Sequence, residues 1–258
     1  MSFYVVIPDM FLMNFNVNGN LSVSEIVDRD YRTADIFRKY GISYIGNGNL
    51  SLNSVCQDKG LDSSAIIEEL ELSLRNNMIS NRLDFSEWDV VFLVDYIVNV
   101  HHTYLKIALV ETQELLKEFS KEDGKKLTYI SEIEKSFDLL VKRILPAMQQ
   151  EEEVIFPYIR QIAHAHRHKE PYAALFIRTL RKPVEEIMFK GHKTVTGIIT
   201  SLRSLTNNYT IPMKSYTGQK VLFSKLKELD DDLMQHLFLE DSVLFPHVMT
   251  IEKDLLNN

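Results

Sequence analysis

The sequence predicts an all-α protein, a four-helix bundle behind a small helical N-terminal domain, and three observations predict it. Apolar residues recur at helical spacing along four long stretches. No run alternates apolar and polar residues between hairpin turns. And one short phrase is written twice, as Glu151-Glu152-Glu153-Val154-Ile155-Phe156-Pro157 and again as Glu240-Asp241-Ser242-Val243-Leu244-Phe245-Pro246.

The N-terminal domain is expected over residues 20–75. Ser22 to Val27 opens a short amphipathic helix, Arg32 to Tyr40 forms a second, and Leu52 to Cys56 and Ser63 to Leu74 give two more. Between them, Gly41 to Asn49 is rich in Gly and Asn and reads as a turn. Asn76 to Asp84 is polar with weak periodicity and is the expected linker.

The bundle is expected over residues 86–252. Ser86-Glu87-Trp88-Asp89 has the form of a capped helix start. Apolar positions then run through Val90, Leu93, Val94, Ile97, Val100 and Tyr104 to Phe119, and Glu122 to Lys125 breaks the pattern. The second helix is expected from Tyr129 to Ile162, with Pro146 and Pro157 as kinks or local breaks. The third is expected from Pro183 to Leu205, and the fourth from Gly218 through His236 toward Thr250.

Each long helix carries a candidate ligand: His101 and His102 on the first, Glu151 on the second, His192 on the third, His236 and Glu240 on the fourth. Residues four apart share a helix face, so His236 and Glu240 point the same way. Carboxylates and imidazoles aimed together into a bundle core are the donors of a carboxylate-bridged metal site. In the first copy of the phrase the position four before the Glu holds Ala147, so one side lacks an imidazole. Phe156, Ile155 and Pro157 read as core packing. His164-Ala165-His166-Arg167-His168 reads as a solvated loop at a helix end, and Asp230-Asp231-Asp232 as an exposed helix face.

Composition narrows the function classes. A formal net charge of −7 argues against a general nucleic-acid binder. The single cysteine, Cys56, excludes an intrachain disulfide and fits a reducing compartment. No basic residue precedes Arg29 and no stretch has eighteen uninterrupted apolar residues, so neither an export signal nor a membrane span is expected, and the expected location is the cytoplasm. There is no phosphate-binding glycine loop, nucleophile elbow or paired-cysteine zinc pattern.

With these residues in place, the chain resembles the iron–sulfur cluster repair di-iron proteins, hemerythrin-like proteins also called regulators of cell morphogenesis and nitric oxide signalling. The resemblance runs over about residues 20 to 250. It is carried by Asp30 to Ile42, by Val100-His101-His102-Thr103-Tyr104, by the two Phe-Pro phrases and by Leu202 to Asn207. It implies non-haem iron as cofactor and iron–sulfur proteins as clients. By position it places iron ligands at His102, Glu151, His192, His236 and Glu240, with both glutamates bridging.

The chain also departs from that pattern. The His expected four before Glu151 is Ala147, and a further His aligns with Asp123, an oxygen donor. The family's adjacent cysteines followed by two glycines are replaced by Ile45-Gly46-Asn47-Gly48, and Cys56, on an apolar helix, does not stand in for them. Three functions stay open at this stage. They are iron-dependent repair of damaged iron–sulfur clusters, a metal-poor regulatory bundle, and a sensor or store of oxygen, nitric oxide or iron. The N-terminal domain is a candidate homodimer surface.

Overall fold

The computed structural model describes residues 17–30, 33–44, 48–74, 85–122 and 128–257, the side chains of 74, 122 and 180–190 excepted. The expected linker at 76–84, the Ile45-Gly46-Asn47 segment and Asp123 therefore lie outside the described residues. The chain divides into two compact units, residues 1–78 and 79–258. Among the described residues there is no strand, only an isolated bridge between Ser22 and Ser51.

The first unit has four short helices: α1 (Val23–Arg29), α2 (Thr33–Lys39), α3 (Leu52–Lys59) and α4 (Ser63–Leu74). Ser22 starts α1 through a reciprocal cap: its hydroxyl accepts from the Glu25 amide, and the Glu25 carboxylate accepts from the Ser22 amide. Ser51 caps α3, which stops at Gly60 in the left-handed region (φ 67°) that a residue with a Cβ adopts only at a cost. Val23, Ile26, Phe37, Leu52, Ile66 and Leu70 are buried, and Cys56 is buried among the core residues. Lys39 and Tyr40 at the end of α2 both bond Glu69 of α4. Burial pushes the Cys56 thiol up, which suits packing rather than thiol chemistry.

The second unit is built from four rods. The first, 90–122, comprises α5 (Val90–Tyr96), a π-helical turn (Ile97–His102) and α6 (Thr103–Glu122). The second, 130–168, comprises α7 (Ile130–Gln150), a π-helical turn (Glu151–Ile155) and α8 (Phe156–His168). The third is one helix, α9 (Ala173–Leu205). The fourth, 217–257, comprises α10 (Thr217–Phe238), a π-helical turn (Leu239–Leu244) and α11 (Phe245–Asn257). The first rod packs on the second and fourth, and the third packs on the second and fourth, which closes a four-membered ring. At one end Val90, Leu93, Ile97, Phe156, Ile159, Ile177, Leu244 and Phe245 form a continuous core. Each such side chain contributes about 1.5–3 kcal/mol on burial.

Several boundaries differ from expectation, each for a physical reason. Ser86 does not cap the first rod: Phe85–Glu87 is a 3₁₀ turn, and the Asp89 carboxylate accepts from the amides of Val91 and Phe92. The second rod runs through Pro146 and past Ile162 to His168, so the His164–His168 tract is the end of a helix and not a loop. His168 bonds the His164 carbonyl there and the two rings stack. The third helix begins ten residues before Pro183, at Ala173, because Ala173 and Ile177 have core to pack against. The local departure near Pro157 is the π turn that precedes it.

The aspartate run is not an exposed face either. Asp230 is buried and takes a bidentate pair of 2.6 Å bonds from Arg203 of α9. Asp232 faces buried His101 at 3.0 Å. Only Asp231, paired with Lys227 one turn away, is the solvated charge that the run suggested.

Candidate metal centre

The three π-helical turns occur where the candidate ligands sit. A π turn bonds each amide to the carbonyl five residues back and widens the helix, and such turns concentrate at functional sites. Here the Phe156 amide bonds the Glu151 carbonyl, and the Phe245 amide bonds the Glu240 carbonyl. The spacing of five between Glu and Phe in both copies of the phrase is thus the spacing of that bond. Pro157 and Pro246 follow at once, just beyond the widened turn.

Within the bundle, Glu151, Glu240, His102, His192 and His236 converge. His102, His236 and Glu240 are fully buried, and Glu151 and His192 nearly so. The Nε2 atoms of His102 and His236 lie 3.1 Å apart. Glu151 places Oε2 3.4 Å from His102 Nε2 and Oε1 3.6 Å from His192 Nε2. Glu240 places Oε1 3.4 Å from His236 Nε2 and Oε2 3.3 Å from His192 Nε2. Each carboxylate therefore straddles the site, one oxygen to either side.

Both copies also grip a histidine of another rod. Glu152, next to Glu151, accepts from His102 Nδ1 at 2.7 Å, and Lys106 holds Glu152 at 2.8 and 2.9 Å. Asp241, next to Glu240, accepts from His192 Nδ1 at 2.8 Å. Fixing Nδ1–H this way directs Nε2 inward, the arrangement in which an imidazole serves a metal once Nε2 has given up any proton it holds. The phenylalanine of each copy completes the hold: Phe156 stacks on His102, and Phe245 on His192. Phe156 is core packing, as its sequence position suggests, but the surface it packs against is a site imidazole.

The sequence-predicted residues are thus brought together, while the others are not. Ala147 lies beside Glu151 and His192 and offers no donor. His101 is buried, but its Nδ1 turns to Asp232 and it stays outside the donor group. Sequence reasoning left Glu152 and Asp241 without a role, although the acid following each Glu was the signal.

The donors carry buried charge that has to be balanced. Glu151 Oε2, both oxygens of Glu240 and His236 Nδ1 are buried with no hydrogen-bond partner among the described residues. Buried carboxylates without compensation are costly. Burial alone would lower the His192 pKa, yet Asp241, Glu151 and Glu240 raise it to about 12, so the imidazole holds a proton. His236 is raised in the same sense, against its burial, by Glu240. Glu240 would be pushed up by burial, but the charges of His236 and His192 hold it well below the usual carboxylate range. Protons here balance the charge that a metal ion would balance. Four of the donors, from His102, Glu151, His236 and Glu240, all lie within 4.8 Å of one another, which suits one ion.

Fold and site define a class: a helical-bundle protein able to hold a cation between paired carboxylates and imidazoles. The chain belongs to the hemerythrin HHE cation binding domain family, which matches residues 93–248. The family and the buried His/Glu group together fit non-haem iron. Residues 19–73 match ScdA_N, a domain of unknown function (DUF542). The chain is 25% identical over 223 residues to the iron-sulfur cluster repair protein ScdA of Staphylococcus haemolyticus strain JCSC1435, covering 86% of this chain and 95% of that one. It is 26% identical over 218 residues to a probable iron-sulfur cluster repair protein of Haemophilus influenzae, covering 83% and 90%. To the iron-sulfur cluster repair protein YtfE of Enterobacter sp. strain 638 it is 25% identical over 233 residues, covering 89% and 97%.

Proposed function

We propose that this chain is a non-haem iron protein that acts in repair of iron–sulfur clusters damaged by oxidative or nitrosative stress, with iron–sulfur proteins as its clients. The observation that carries the reading is the convergence of Glu151, Glu240, His102, His192 and His236 in a buried site where three of the four carboxylate oxygens have no hydrogen-bond partner among the described residues. It is supported by relatives named as repair proteins that align along most of their own length. The proposed organisation is an iron-holding bundle at 86–252 and a small helical domain at 20–75 as a candidate homodimer surface. A cytoplasmic location agrees with the lack, among the described residues, of any helix long and apolar enough to cross a membrane.

In this reading the five residues hold iron, which supplies ferrous ion and one-electron redox capacity. The chain's own part is positional and electrostatic. Glu152 and Asp241 keep His102 and His192 in the tautomer that faces inward. Glu151 and Glu240 supply two negative charges where a divalent cation is held. Phe156 and Phe245 cover two of the imidazoles and keep water from them. The test is recovery of a peroxide-damaged [4Fe–4S] dehydratase incubated anaerobically with the iron-loaded protein. Recovery should exceed that given by the same concentration of free ferrous ion. Equal recovery in both would overturn the repair reading.

A further inference from the structure

The two sides of the site are unequal in donors. On one side stand His102 Nε2, His236 Nε2, Glu151 Oε2 and Glu240 Oε1, four donors with adjacent separations of 3.1 to 3.4 Å. Four donors each about 2.0–2.2 Å from a shared ion stand about 3.3–3.6 Å apart, so this side needs little movement to close on one ion. On the other side stand His192 Nε2, Glu151 Oε1 and Glu240 Oε2, three donors among the described residues.

What the second side has instead of a fourth donor is space. His236 sits four residues before Glu240 and stacks above it, and the corresponding residue before Glu151 is Ala147. A cavity of about 340 Å³ lies there, lined by Ala147, Gly191, His192 and Glu151 together with Lys142 and Arg143. A Cβ placed on Gly191 would meet nothing within 4 Å among the described residues. His102, His236 and Glu240 are sealed from solvent, while Ala147 is half-buried. One side is closed, and the other is incomplete and open.

We propose that this chain retains one metal ion, on the His102–His236 side, and that the His192 side is an open three-donor position where a second ion exchanges with solvent through the Ala147 cavity. This deepens the iron reading and rests on it. A closed four-donor position and an open three-donor one are also the arrangements that separate retained metals from those with free coordination positions.

The test counts metal. Protein is loaded anaerobically with excess ferrous ion, dialysed against a chelator, and the iron remaining per chain is measured. The wild type should keep close to one. His192→Ala should also keep one, His102→Ala should keep none, and Ala147→His should rise toward two. Two irons retained by the wild type, loss of the retained iron in His192→Ala, or an Ala147→His variant that folds but stays at one would each overturn the proposal. Two irons in the wild type would leave the iron reading standing. No retained iron in the wild type would remove both.

Discussion

In the first copy of the repeated phrase Glu151 enters the site, Glu152 holds His102, and Phe156 covers the held ring. In the second, Glu240, Asp241 and Phe245 do the same for His192. The copies differ one helical turn upstream, where the second has His236 and the first has Ala147. The comparison separates what the phrase provides from what surrounds it. Each phrase supplies one straddling carboxylate and one clamp on a neighbouring rod, and the turn before it decides whether that side of the site is complete.

The largest effect is expected where the two sides share a residue. Glu240 gives one oxygen to each, so Glu240→Ala should abolish chelator-resistant iron while leaving the helical circular dichroism in place. A variant that still retains iron would show that the carboxylates are not what holds it.

A smaller, asymmetric effect is expected from the clamps. Glu152→Gln should weaken iron binding about 10–100-fold, because His102 belongs to the closed side. Asp241→Asn should change the retained ion less, since His192 faces the open side. Competition titration with a chromogenic chelator reads both, and equal losses would remove the distinction between the sides.

Away from the site, Arg203→Ala leaves buried Asp230 without its bidentate partner. The arginine is partly exposed, so the cost should be about 2–3 kcal/mol in denaturant unfolding, below that of breaking a fully buried pair. Iron retention per folded chain should not move.

The last effect is graded with pH. His192 and His236 have values raised by the neighbouring carboxylates. The stabilisation from the His192 proton is complete below the unfolded value of about 6.5 and is lost as pH rises through about 12. Iron must displace these protons, so uptake should release protons and affinity should fall from about pH 8 to about pH 6. Calorimetry in buffers of different ionisation enthalpy measures the release. Proton-neutral uptake would contradict the charge balance described above.

Much of this was legible from local pattern. The helical periodicity of Val90 to Phe119 and the four-residue spacing of His236 and Glu240 depend on near neighbours, which sequence displays. The aspartate run was misjudged because its partners, Arg203 and His101, come from other rods. The third helix was expected to start at Pro183, but packing at Ala173 and Ile177 extends it further back. The Glu-to-Phe spacing of five was visible without its meaning, since a π-helical bond is not implied by hydrophobic periodicity. The consequence of Ala147 needed the cavity, because only the fold shows whether a lost side chain is replaced or leaves space.

The most direct test of the central claim is the X-ray absorption spectrum of iron in the reconstituted wild-type chain. A nitrogen and oxygen shell is expected, with no sulfur and with imidazole outer-shell scattering that diminishes in His236→Ala. Iron surrounded by oxygen alone, unchanged by that substitution, would contradict it.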